Sequence, residues 1–125
     1  MIACDTSSFA AFLAGDSQAA DVKKLRSALS GGGLVLPPAT YAEALSNPRT
    51  LAAARATISG LRLLELTADY WDRVANNRAG LIGKGLKARL ADALIAQSCI
   101  DADIALITRD TDFRHFAKHC GLKLA

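Results

Sequence analysis

"RLADALIAQSCIDADIALITRDTDF", Arg89 to Phe113, is the stretch on which the fold turns. Its first half, Leu90 to Ile100, has a helical pattern and is apolar on nearly every side. Its second half contains "DIALIT" (103–108), a short apolar run bounded by acids. A helix leading straight into a strand that is apolar on both faces is a building unit of a parallel, helix-covered sheet. One residue interrupts the middle of that apolar helix, Asp92. A buried carboxylate without a partner costs on the order of several kcal/mol, so the charge needs a cation or a salt bridge.

Outward from this stretch, the same alternation continues. "MIAC" (1–4), "LVLPP" (34–38), "LRLLELT" (61–67) and "LKLA" (122–125) read as further short strands. Helices are expected after Thr6, Ser7 or Ser8 as caps, with Phe9, Phe12 and Leu13 on one face. A second is expected within 16–33, where Val22, Leu25 and Leu29 share a face and Gly31 to Gly33 stop it. Others are expected over 38–47, over 47–60 with Asn47 as cap, and over 68–80 with Thr67 as cap. "LIGKG" (81–85) reads as a flexible joint, and "RDTDFRHFAKHCG" as a loop with a short helix. Strands alternating with helices predict an α/β fold, one domain over 1–125, with helical layers on the sheet.

Composition narrows the function. A hydrophobic fraction of 51% excludes a disordered chain. Fifteen Lys and Arg against twelve Asp and Glu leave a net charge of +3, with a pI near 8.9, which suits an anionic partner. Cys4, Cys99 and Cys120 are odd in number and widely spaced, so they read as core thiols and not as a disulfide framework or a zinc ribbon. No apolar run reaches the ~18 residues of a membrane span. The start lacks a basic segment and meets Asp5 at once, so no signal peptide is expected and the protein reads as cytoplasmic.

The acids fall where such a sheet binds ligands, just beyond the carboxyl ends of its strands. Asp5 follows the first strand, Asp110 and Asp112 follow "IALIT", Glu43 lies in the helix fed by the second strand, and Asp92 precedes the fourth. Gathered at one edge, these carboxylates repel one another, and a metal is the usual remedy. An all-oxygen donor set favours Mg²⁺ or Mn²⁺ over zinc and suits phosphodiester chemistry. Each acid also has a plainer reading. Asp5 serves equally as part of a helix cap, Glu43 as a solvated helix residue, Asp110 and Asp112 as turn and cap, and Asp92 as a partner of Arg89 at i−3. His115 and His119, spaced i, i+4, lack the glutamate or cysteine partners of a zinc motif and read as surface residues. Lys84, Lys87 and Arg89 read as a solvated face that also lines an approach for a polyanion.

"MIACDTSSF", "LPPATYAEAL" and "RLADALIAQSCIDADIALITRDTDF" together resemble the start, middle and end motifs of PIN-domain ribonucleases, above all the VapC-type toxins of toxin–antitoxin modules. The resemblance spans essentially the whole chain. It implies a three-layer α/β/α fold around a central, mainly parallel sheet of four to five short strands. It also implies Mg²⁺- or Mn²⁺-dependent hydrolysis of RNA. By motif position, Asp5, Glu43, Asp92 and Asp110 are the implied acids, with Asp112 competing with Asp110 for the last place. Glu43 is implied to ligate the metal or orient the attacking water. Thr6 or Ser7, and Thr108, match supporting hydroxyl positions, while Arg109, Lys84 and Lys87 are candidate phosphate contacts. A homodimer and a small cognate antitoxin are the implied partners. Two other readings compete with a cleaving enzyme: a PIN-like module that binds RNA or protein without cutting, and a flavodoxin-like phosphoryl-accepting receiver. The receiver requires an acceptor Asp ending the third strand and a Lys ending the fifth, which "LELTAD" and the chain's end do not supply.

Overall fold

The computed structural model describes residues 1–125. Its strands are β1 (Ile2–Cys4), β2 (Leu34–Leu36), β3 (Arg62–Leu63) and β4 (Leu106–Ile107). They form one sheet in the order β3-β2-β1-β4, with every pairing parallel. The helices are α1 (Thr6–Leu13), α2 (Ala20–Ser30), α3 (Pro38–Ser46), α4 (Ala52–Ser59), α5 (Tyr70–Gly83), α6 (Leu90–Ala102) and α7 (Phe113–Cys120). The α/β class and its three layers therefore hold. This strand order also separates the chain from the receiver alternative, whose flavodoxin-like order places the third strand beside the first.

Period-two alternation along each strand divides the core between the two helical layers. Ala3, Val35 and Leu106 face the layer of α5, α6 and α7, in a cluster of sixteen buried residues. Cys4, Leu34, Leu36 and Ile107 face the other layer, with Phe9 of α1, Leu25 of α2, Ala44 of α3 and Ile58 of α4. The three cysteines are free, and burial pushes the thiols of Cys4 and Cys99 up, that of Cys99 to about 12. No helix is long and apolar enough to cross a membrane.

Helix α6 is apolar around its circumference because it is buried among its neighbours, yet Gln97 and Ser98 are buried too. A polar seam with α5 satisfies them. Asn77 donates to Gln97 Oε1 at 2.7 Å, and Gln97 Nε2 donates to Asp101 at 2.8 Å. Arg73 grips both oxygens of Asp101, at 2.9 and 2.7 Å, and Tyr70 donates its hydroxyl to the Leu94 carbonyl at 2.5 Å. The helix ends at Asp103 with φ 55, a left-handed conformation that Asp tolerates, and the chain turns directly into β4.

Several boundaries differ from expectation. Asp5, not Thr6, Ser7 or Ser8, caps α1, because its carboxylate accepts the Ser8 N–H. Asn47 does not cap α4. It accepts the Arg49 N–H at 3.0 Å in a local turn, and the helix starts only at Ala52. Thr67 does not cap α5, since its hydroxyl accepts from Arg73 at 2.7 Å. "LIG" is no joint, because Leu81 is 1% exposed and carries α5 on to Gly83. The terminal "LKLA" adds only one parallel bridge, Leu106 to Leu124, so the sheet has four strands.

Phe116 anchors α7 in the larger cluster at 1% exposure. Phe116→Ala is expected to lower unfolding stability by about 3–5 kcal/mol through the cavity it leaves, read from urea denaturation midpoints.

Candidate metal-binding active site

The sheet order makes β1 the point at which successive connections reverse direction: β2 and β3 extend to one side of it, and β4 to the other. Ligand sites of open parallel sheets lie outside the carboxyl ends of the strands at such a point. Cys4 pairs with Ile107, and the Asp5 N–H donates to the Ile107 carbonyl at 3.0 Å. Asp5 and Thr108 thus leave the sheet side by side. Thr40 of α3, fully buried, donates its hydroxyl to the Cys4 carbonyl at 3.0 Å and secures that exit from the other flank.

Asp5 is 2% exposed and is held by three donors. Ser8 N–H reaches Oδ1 at 3.0 Å, while Ser7 Oγ and Thr108 Oγ1 both reach Oδ2 at 2.7 Å. A carboxylate has roughly four acceptor positions, so about one remains free for another ligand. The Asp110 N–H donates to Thr108 Oγ1 at 3.0 Å, and Asp112 N–H donates to Asp110 Oδ1 at 2.9 Å, closing an Asx-type turn. Asp112 stands at the start of α7 without a capping hydrogen bond, and its carboxylate lies 3.4 Å from Lys87 Nζ.

Asp92 is the third residue of α6, in its first turn and not mid-helix. There it is half-buried, and Arg89, the residue before the helix, forms no ion pair with it. One oxygen each from Asp92, Asp110 and Asp112 lie within 4.8 Å of one another. Burial, then the Asp110 charge, push the Asp92 carboxyl up to about 6, with smaller contributions from Asp112 and Asp5 opposed by Arg89. The α6 N-terminus favours its charged form by about 0.3–1 kcal/mol, too little to cancel desolvation and repulsion. The donor set is all oxygen, carries an excess of negative charge and suits a hard divalent cation.

The remaining candidates are distributed around this centre. Glu43 is exposed and outside the three-acid group, bonded by Thr6 Oγ1 at 2.6 Å. Lys87 borders the acids, and Lys84 lies near His119 of α7. The Arg109 guanidinium, 41% exposed, is engaged with acids of its own: it grips Asp21 at 2.7 and 3.0 Å and reaches Asp16 at 3.4 Å. Asp21 and Thr40 have no signature in sequence, and Ser8 stands out only as a helix-cap candidate; the Ser8 hydroxyl on Asp21 and the Thr40 hydroxyl on the Cys4 carbonyl join different elements.

The family model for the PIN domain matches residues 2–119. Among solved structures, VapBC2 from Rickettsia felis bound to a DNA fragment from its promoter is 18% identical, with TM-score 0.70, covering 100% of this chain and 98% of that one. VapBC-5 from Mycobacterium tuberculosis is 18% identical, with TM-score 0.66 and coverages of 98% and 95%. DNA-bound VapBC from Salmonella typhimurium is 17% identical, with TM-score 0.70 and coverages of 100% and 98%. At these identities the likeness is one of fold. A search of curated proteins found no match.

Because the folded Asp92 carboxyl titrates near 6 against an ordinary 3.8, folding favours its protonated form. The stability this contributes is complete below about pH 4 and is lost as pH rises through about 6. In metal-free protein at pH 7, Asp92→Asn is therefore expected to be more stable than the native chain by about 1 kcal/mol after solvent screening. Thermal melts in EDTA should show a Tm gain of a few degrees at pH 7 that disappears by pH 4.

Proposed function

The chain belongs to the PIN-domain family, and on that premise we propose that it is a Mg²⁺- or Mn²⁺-dependent endoribonuclease, the toxin of a toxin–antitoxin module. The observation that carries this reading is the convergence of Asp92, Asp110 and Asp112 within 4.8 Å at the switch point of the sheet. The likeness to VapBC structures, one of them described as a member of a family of toxin–antitoxin systems, supports the module.

In this proposal Asp92, Asp110 and Asp112 hold the cation, and Asp5 contributes the acceptor position its three donors leave free. When bound, the ion neutralises the phosphodiester and acidifies the attacking water. Ser7, Ser8 and Thr108 keep the Asp5 carboxylate from rotating. Thr6 orients Glu43, which is assigned to aligning the attacking water. Lys87, beside Asp112, and Lys84 beyond it supply phosphate contacts, and the exposed Lys118 extends that basic margin along α7.

Exposed apolar surface supports the proposed partners. A cavity of about 230 Å³ is lined by Leu13, Ala44, Leu51 and Ala54 and borders Thr6 and Glu43. It suits an apolar segment of a small antitoxin. A basic antitoxin side chain over the acids would substitute for the metal's charge. On α5, Trp71 and Ile82 with Leu90 of α6 are 62, 50 and 53% exposed, beside a groove of about 550 Å³, and this face suits a homodimer. The proposed compartment is the cytoplasm.

Purified protein is expected to cut RNA with Mg²⁺ or Mn²⁺ and not in EDTA, with Asp92→Asn lowering the rate at least about a hundredfold. RNA cleavage that survives Asp92→Asn would place the chemistry elsewhere. Glu43, bonded to Thr6 and apart from the three acids, is the observation that favours the second reading, an RNA- or protein-binding module that does not cut. RNA binding with no product at any metal concentration is its signature. Binding to single-stranded RNA by the Asp92→Asn protein checks the basic margin. There, Lys84→Ala with Lys87→Ala should flatten log Kd against log salt by about 0.7 for each phosphate that is no longer neutralised.

A further inference from the structure

The residue between Thr108 and Asp110 faces away from the acids, and its contacts close a ring. Arg109 Nε donates to Asp21 Oδ2 at 2.7 Å and Nη2 to Asp21 Oδ1 at 3.0 Å, a two-pronged grip on α2. Asp21 Oδ2 also accepts the Ser8 hydroxyl at 2.8 Å. Ser8 is fully buried, and its backbone N–H donates to Asp5 Oδ1 at 3.0 Å. Asp5 Oδ2 accepts Thr108 Oγ1 at 2.7 Å, and Thr108 is joined to Arg109 by the peptide bond. The circuit Asp5, Ser8, Asp21, Arg109, Thr108 therefore returns to Asp5. Each link orients one group of the acid site from its far side.

We infer that Asp21 and Arg109 are positioning residues, which set the place of Asp5 and of the Thr108–Asp112 turn through this ring and so tune the site's affinity for its cation. The inference rests on the metal-site reading above. Thr108 bonds to Asp5 and Arg109 to Asp21, so the two neighbours are held by different partners, and fixing Arg109 restricts the backbone that carries Thr108 and Asp110. A forked guanidinium–carboxylate pair fixes direction as well as distance, which a single charge contact does not. Asp16 adds a third contact at 3.4 Å and ties in the connection between α1 and α2. Asp21 is held well below the usual carboxylate range, to about 2, by the Arg109 hydrogen bond, so the pair persists across the working pH range.

Coulomb attraction and positioning make opposite claims about Arg109. Removing a cation near an acid cluster strengthens divalent binding if only charge matters. If Arg109 positions the acids, removing it weakens binding, as loss of outer-shell support commonly does by about tenfold. The experiment is titration calorimetry of metal-free protein with Mn²⁺, on the native chain, Arg109→Gln, Asp21→Asn and the double variant, each checked by circular dichroism. The expected result is about a tenfold rise in Kd for each single variant, with the double variant no worse than either. An unchanged or tighter Kd for Arg109→Gln overturns the positioning role. Should that variant fail to fold, Arg109→Lys keeps the charge but loses the fork, and must show the same weakening. A native chain that binds no Mn²⁺ overturns the metal-site reading itself, and the inference falls with it.

Discussion

Parallel pairing of β1 with β4 is the constraint on which the carboxylate edge depends. Cys4 and Ile107 lie in register, so the next residues on each strand, Asp5 and Thr108, emerge together and bond at 2.7 Å. The pairing also places β1 at the reversal of the strand order, where no crossing helix covers the sheet's edge. Thr40 and the Asp5 N–H tie down the backbone there, through the Cys4 and Ile107 carbonyls. Without that register Asp110 and Asp112 would have no fixed relation to Asp5.

Concentrating negative charge at one edge sets a problem that the chain solves differently for each acid. Asp5 is desolvated and receives three hydrogen bonds. Asp110 accepts a backbone N–H in its own turn, and Asp112 has Lys87 beside it. Asp92 has only the N-terminus of α6 and an unbonded Arg89, which together are outweighed by burial and by its acidic neighbours. The imbalance is therefore localised in one carboxyl, which takes up a proton near pH 6 when nothing else supplies positive charge. A divalent cation held among the three acids supplies that charge without protonation, which is the physical argument for the metal.

What is legible in the sequence follows from what is local. The strands are visible as apolar runs, and Asp5 and Asp110 can be assigned to the strand ends because each follows its strand by one or a few residues. Asp92 stands out through its apolar surroundings, although its place in the first turn of α6 does not. Arg109 is half legible: its position beside Asp110 suggests a substrate contact, while its pairing with Asp21, far away in sequence on α2, has no sequence signal. Ser8 and Thr40 look like ordinary helix residues, and only the packing of α1 and α3 on the strand ends reveals their bonds. Glu43, assigned by resemblance to a motif position, is bonded by Thr6, a contact across two helices that no spacing encodes. Helix ends are the least legible, because Asn47 and Thr67 use their side chains on local turns and on Arg73 instead of capping.

Arg89 to Phe113 supplies most of the site from one continuous segment: the α6 N-terminus, the β4 strand, the acid turn and the start of α7. Such a segment forms its own geometry through local hydrogen bonds, but it cannot decide which way its alternating side chains face. That decision belongs to the register with β1. A slip of one residue exchanges the two faces of an extended strand. Here it would turn Thr108 and Asp110 away from Asp5 and bring the Arg109 guanidinium into the acid cluster in their place. The Asp21 grip on Arg109 opposes that exchange, since the slipped arrangement forfeits both of its bonds and leaves Asp21 without its guanidinium partner. The same ion pair thus adds to the burial of Leu106 and Ile107 in favouring the register that makes the turn useful.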